Sequence, residues 1–145
     1  LKQEAYDLLL KARDVAKQRG KNLEVVSGYR TLQQQIDLWE GRTSKRYAQR
    51  FPDPQLRRAK VCDPSGGGTG CPHLTGFAVD VTFDGKQVST MPRQEQQLLH
   101  DVMTQVGWIR YGDVNNPDVG EPWHFECCNT DRYSRAKERG VTAIV

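Results

Sequence analysis

The feature that most constrains this chain is a charge inside an apolar strand. Residues 77–83 read FAVDVTF, an alternating β pattern, and Asp84-Gly85 follow as a short-range hairpin signal. Asp80 sits in the middle of that run. A carboxylate buried in a strand is costly unless a partner balances it. Any fold built on this strand must therefore bring a compensating group to Asp80.

The neighbouring segments define the rest of the architecture. Residues 1–20 place Ala5, Leu8, Leu9, Ala12 and Ala16 on one helical face and end in Arg19-Gly20, a basic last turn followed by a glycine stop. Leu23 to Ser27, LEVVS, reads as a short buried strand. Thr31 and Gln34 form a capping-box pattern that opens a helix with Leu32, Ile36 and Trp39 on its apolar face. From about Arg42 to Pro72 the chain is polar, basic and rich in Gly and Pro, with at most a short helix after Pro54. Such a stretch is uncommon in a compact domain and is often functional. A helix is predicted from Pro92 to Val106, with Leu98, Leu99, Val102, Met103 and Val106 inward and Gly107 as its stop. WIRYG and WHFEC read as two strands separated by a loop, VNNPDVGEP. A last helix is expected from Asp131 to Gly140. There are no repeats and no linkers, so residues 1–145 are expected to form one α+β domain, a central antiparallel sheet flanked by helices.

Charge excludes more than it assigns. The net charge is +3, and the basic clusters GRTSKRYAQR and LRRAK carry only Tyr47 and Phe51 as nearby aromatics. That is too little for a nucleic-acid face, so the basic loop is read as solvated, with long-range attraction to an anionic cell-wall polymer left open. No apolar run is long enough to span a bilayer. The sequence begins directly in a polar helix pattern, so an exported protein would have its targeting segment outside this chain. Four cysteines permit three pairings. Cys62 and Cys71 bracket a Gly-rich loop that a disulfide would tether, whereas the state of the adjacent Cys127 and Cys128 stays open. An even cysteine count favours export modestly.

The chemistry concentrates in two segments. His73 lies on the loop entering the Asp80 strand, and His124 lies in WHFEC, three residues after Glu121. Imidazole and carboxylate are both ordinary zinc ligands, and a catalytic zinc takes three protein ligands and leaves a position for water. Glu121, held by Pro122 on its loop, is placed to take a proton from water activated by an ion and return it to a leaving amine. Taken singly, a strand histidine is usually a packing residue, and Asp80 is as well explained by a turn or an arginine. The joint occurrence of all four favours the metal reading. His100, in QQLLHDVM, has no such company and is read as structural.

These residues resemble a known family. Cys71-Pro72-His73-Leu74-Thr75-Gly76-Phe77-Ala78-Val79-Asp80 is similar to Ser-x-His-x-x-Gly-x-Ala-x-Asp, and Glu121-Pro122-Trp123-His124 to Glu-x-Trp-His. Ser27-Gly28-Tyr29-Arg30, with Gln35 downstream, matches a third segment. In this order they resemble the zinc D-alanyl-D-alanine carboxypeptidases and dipeptidases of the VanY type, from about Ser27 to Phe125. The resemblance implies one zinc ion on His73, Asp80 and His124, with Glu121 as acid/base. Arg30 would stabilise the oxyanion or hold the substrate carbonyl. It places Gln35, Tyr29, Trp123 and Cys71 near substrate. Cys71 departs from the family's serine, and a disulfided Cys71 would have no hydroxyl-like contact to offer.

The expected activity is that of an exported, monomeric metallopeptidase that hydrolyses peptidoglycan stem peptides, a D,D-carboxypeptidase removing terminal D-alanine. The nearest rival is an L-alanyl-D-glutamate endopeptidase on the same scaffold, because pocket shape decides the scissile bond. A non-catalytic cell-wall-binding domain with a structural metal is a different class, but has no use for Glu121 beside three ligands. Neither nucleic acid nor a membrane span is expected.

Overall fold

Helix α1 (Gln3–Gln18) buries Ala5, Leu9, Ala12 and Ala16, residues spaced three and four apart along one face. Its chain stops where Gly20 takes a φ of 74°, a left-handed conformation that favours glycine. The computed structural model describes residues 1–65, 71–113 and 116–128. After α1 come β1 (Leu23–Ser27), α2 (Leu32–Trp39) and two short helices, α3 (Tyr47–Arg50) and α4 (Pro54–Arg58). A single 3-10 turn (Pro72–Leu74) then leads into β2 (Ala78–Phe83). Helix α5 (Arg93–Gln105) precedes β3 (Ile109–Asp113) and β4 (Asn116–Glu126).

The four strands form one antiparallel sheet in the order β1-β2-β4-β3. Alternation along β2 sends Val79, Val81 and Phe83 to one face and Asp80 to the other. The first face joins Phe125, Cys127, Leu99, Val102, Met103, Trp108 and the buried face of α1 in the core. Each fully buried large side chain there contributes about 1.5–3 kcal/mol. The opposite face is left for polar residues. Because Asp80 pairs with His124 and Ala78 with Glu126, the sheet register itself sets two carboxylates and an imidazole side by side. The architecture is thus α+β with an antiparallel sheet, as the sequence predicts.

Several local expectations are corrected. The turn at Asp84-Gly85 forms, with φ of 53° and 70°, but it closes no hairpin: β2 pairs with β1 and with the distant β4, and the residues directly after the turn form no strand. Lys86 N–H donates to the Phe83 carbonyl, and the chain then runs into a 3-10 turn at Val88–Thr90. Helix α2 buries Gln35, while Leu32 is 41% exposed, so its inner face is turned from the apolar stripe toward a polar anchor. Strand β1 is an edge strand with only Leu23 buried. A bulge between Val25 and Ser27 turns Val26 outward, 68% exposed. Most of VNNPDVGEP, read as a loop, belongs to β4, whose backbone pairs with β3 from Asn116 onward. Ladder pairing and two register shifts accommodate residues that read as turn formers. The helix expected at Asp131–Gly140 lies outside the described residues. Among those residues no helix is long and apolar enough to cross a membrane.

Candidate functional site

Three segments deliver the site. The 3-10 turn Pro72–Leu74 carries His73 to the mouth of β2, where it is 4% exposed. Its Nδ1 lies 2.8 Å from the Gly28 carbonyl. A carbonyl only accepts, so Nδ1 donates to it, and Nε2 is the ring nitrogen that faces Asp80 Oδ1 at 3.2 Å. On β4, His124 is completely buried, with Nδ1 2.8 Å from the same Asp80 oxygen and Nε2 3.0 Å from Glu126 Oε1. The two imidazoles meet edge to face, with centroids 5.0 Å apart.

This arrangement fits a metal ion. One donor atom from each of His73, Asp80 and His124 lies within 4.8 Å of the others. The donors of a tetrahedral zinc at ordinary bond lengths stand about 3.3 Å apart. The outer nitrogen of each ring is engaged by an acceptor, so both inner nitrogens converge on a carboxylate. Without a cation only protons can hold these acceptors together. Burial pushes the His124 imidazole down, but its hydrogen bonds to Asp80 and Glu126 outweigh that and raise it to about 9. Burial likewise raises Asp80, yet hydrogen bonds from His124 and His73 hold it well below the ordinary carboxylate range. A cation at this point replaces the proton.

An open cleft of about 740 Å³ runs past the cluster and is lined by His73, Asp80, Arg30, Glu121 and Trp123. Register explains how β4 reaches it. Arg110 pairs with Phe125 but Tyr111 pairs with Glu121, so Pro122, Trp123 and His124 bulge away from β3. Such bulges re-aim side chains beside functional sites, and a proline without an N–H is at home in one. Glu121 is partly exposed at the cleft wall, and Trp123 packs its other side on the core.

Arg30 is held at several points. Its Nη1 donates to Gln35 Oε1 at 2.8 Å, and its Nη2 donates to Ser27 Oγ at 3.2 Å. Its backbone N–H donates to the His73 carbonyl at 3.1 Å. Gln35 is fully buried, and its Nε2 donates to the Cys62 carbonyl at 2.8 Å. Cys62 is joined to Cys71, two residues before His73. One covalent and hydrogen-bonded unit therefore ties the guanidinium to the loop that carries a ring of the cluster. Tyr29 is 55% exposed and stands outside the cleft lining. Cys127 and Cys128, left open by the sequence, are also joined to each other.

The bridge separating Cys62 and Cys71 by nine positions closes a real loop, whereas the adjacent pair closes none. Replacing Cys62 and Cys71 by serine is expected to lower stability by about 2–3 kcal/mol, the chain entropy of a loop of that length. Urea unfolding of the double variant against the parent checks this. A loss below about 0.5 kcal/mol would contradict the tethering role.

Sequence reasoning did not single out Glu126 or the Gly28 carbonyl. The signal for Glu126 was available: two residues apart in a strand, it shares a face with His124. The Gly28 carbonyl has no side-chain signature. His100 is half-buried on α5, where burial and the neighbouring Arg110 charge lower its pKa, and it takes no part in the cluster.

The sequence profile of the VanY family, described as D-alanyl-D-alanine carboxypeptidase, matches residues 1–130. This chain belongs to the VanY family. The fold agrees. The structure of VanYB in complex with D-alanine-D-alanine superposes with a TM-score of 0.67 at 20% identity, covering 97% of this chain and 78% of that one. A zinc(II) complex of a variant of the vancomycin resistance D,D-pentapeptidase VanY gives 0.65 at 21% identity, over 96% and 79%. The LD-carboxypeptidase LdcB gives 0.62 at 21% identity, over 94% and 70%. No curated protein matches the chain in sequence. Family membership makes the chain a hydrolase of the D-alanyl-D-alanine carboxypeptidase class, acting on peptidoglycan peptides.

Proposed function

We propose that the chain binds one zinc ion on His73, Asp80 and His124 and removes the terminal D-alanine of peptidoglycan stem peptides. The observation that carries this reading is the convergence of those three donors beside a cleft that His73, Asp80, Glu121 and Arg30 line. Zinc, when bound, supplies a Lewis acid that lowers the pKa of water and polarises a carbonyl. Glu121 takes the proton from the attacking water and passes it to the leaving amine of D-alanine, one carboxyl serving as base and then acid. Arg30, fixed by Gln35 and Ser27, presents its guanidinium to the oxyanion that develops on the scissile carbonyl. Gln35 acts by holding Arg30, its own amide being engaged on both sides. Trp123 and the cleft wall hold the peptide. Similarity to a complex with D-alanine-D-alanine supports the substrate, and two disulfides support a site of action outside the cytoplasm.

A second reading has its own support. The comparable likeness to an LD-carboxypeptidase allows the scissile bond to be an L,D bond on the same machinery. An L-alanyl-D-glutamate endopeptidase is the third variant. Digestion of purified muropeptides of defined stem length, with products weighed, separates them. Pentapeptide converted to tetrapeptide with free D-alanine is the expected result. Tetrapeptide converted to tripeptide, or stems cut between the first two residues, would contradict the D,D assignment.

The proton on His124 has a thermodynamic consequence. In zinc-free protein its raised pKa contributes stability that is complete below the ordinary 6.5 and lost as pH rises through about 9. Asp80, with a depressed pKa, contributes stability present above the ordinary 3.8 and lost as pH falls below it. The urea midpoint of zinc-free protein is therefore expected to fall between about pH 6.5 and pH 9. Zinc-loaded protein is expected not to fall over that window, because deprotonation favours the metal. Parallel pH profiles of the two forms would show that the proton and the ion do not share the site.

A further inference from the structure

Among the described residues, Glu126 is the one buried carboxylate of the site face that the reaction above leaves unused. It is 3% exposed, its Oε1 lies 3.0 Å from His124 Nε2, and its Oε2 is buried with no hydrogen-bond partner among the described residues. It does not line the cleft. A buried carboxylate with a single hydrogen bond is unfavourable unless a nearby positive charge balances it. Asp80 already faces the other nitrogen of the same ring. Two acidic groups thus flank one imidazole, and only Asp80 reaches the point where the three donors meet.

We propose that Glu126 is a positioning residue for the metal centre. By accepting from Nε2 it fixes the His124 tautomer, so that Nδ1 keeps its lone pair for the ion. It also sets the ring plane and adds negative charge behind the ligand. His73 is oriented by a neutral backbone carbonyl, so the two histidines are unequal ligands and His124 is the stronger donor. Carboxylates placed behind metal-bound histidines in this way raise ligand basicity, and their loss costs 10–100-fold in metal affinity. Register secures the contact: Glu126 sits opposite Ala78 on β2, a side chain too small to separate it from the ring.

The inference rests on reading the His73, Asp80 and His124 cluster as a zinc site, and the test keeps the two apart. Zinc affinity of the full chain is measured by competition with a chromogenic chelator for the parent, Glu126→Gln and Glu126→Ala. Urea unfolding of each zinc-free protein is recorded beside it. The expected result is zinc binding weakened about 10–100-fold in Glu126→Ala. Glu126→Gln, which still offers an oxygen to Nε2–H, is expected to fall between the two, with KM for a pentapeptide substrate unchanged. If Glu126→Ala does not fold, Glu126→Gln alone decides: an affinity within twofold of the parent overturns the proposal. Loss of zinc-free stability with unchanged zinc affinity also overturns it, because the role would then be structural only. A parent that binds no zinc overturns the metal reading itself.

Discussion

Glu121→Ala is expected to retain its zinc and lose turnover by about 10²–10⁴-fold, the usual contribution of a positioned general acid/base. The separation of the two effects follows from where the residue sits. Glu121 lies on the far side of the β4 bulge, paired in register with Tyr111, while His124 is paired with Asp80 across β2. Its removal leaves the His73, Asp80 and His124 donors and the buried Glu126 contact untouched. Shortening a partly exposed side chain at a cleft wall leaves no cavity in the core, so unfolding is expected to change by less than about 0.5 kcal/mol. The check is zinc content and chelator competition beside kcat on a pentapeptide. A variant that kept near-normal hydrolysis would remove Glu121 from the reaction. One that lost its zinc would make Glu121 a ligand instead.

His124→Ala is expected to abolish zinc retention and activity together, and to destabilise the zinc-free protein as well. Its ring is the contact shared by Asp80 and Glu126, at 2.8 and 3.0 Å. Deleting it leaves Glu126 buried without its imidazole partner and Asp80 with His73 alone, and breaking a buried pair in this way costs about 3–5 kcal/mol. His73→Ala is expected to lose zinc as well but to cost less stability, since its outer nitrogen is held only by a backbone carbonyl. Urea unfolding of both zinc-free variants reads the difference. Equal losses would contradict the central place given to His124.

Much of this site was legible before any coordinates. Asp80 announced itself because a charge inside FAVDVTF has no cheap explanation, and the structure answers with two imidazoles. Helices α1 and α5 were legible because their apolar residues recur at helical spacing over several turns, and the buried sets Ala5, Leu9, Ala12, Ala16 and Leu99, Val102, Met103 follow that spacing. What stayed hidden depends on pairing across distance. Nothing local in VNNPDVGEP says that β3 lies alongside to extend it into β4. LEVVS carries strand propensity, but its place at the sheet edge is a property of the strand order. Helix α2 misleads because its buried residue is a glutamine that satisfies Arg30 and the Cys62 carbonyl together, a tertiary demand that overrides its apolar stripe. Glu126 was within reach of strand periodicity, but a second carboxylate gains meaning only once the His124 ring is seen to need two partners.

Zinc content and D-alanine release, measured together, test the zinc-dependent cleavage most directly. Purified protein is assayed on a muropeptide pentapeptide as isolated, after chelation, and after return of zinc. The expected result is one zinc per chain, free D-alanine released by the loaded protein, none after chelation, and recovery on return of the ion. Equal D-alanine release by zinc-free protein, or stoichiometric zinc with no peptide cleaved, would contradict it.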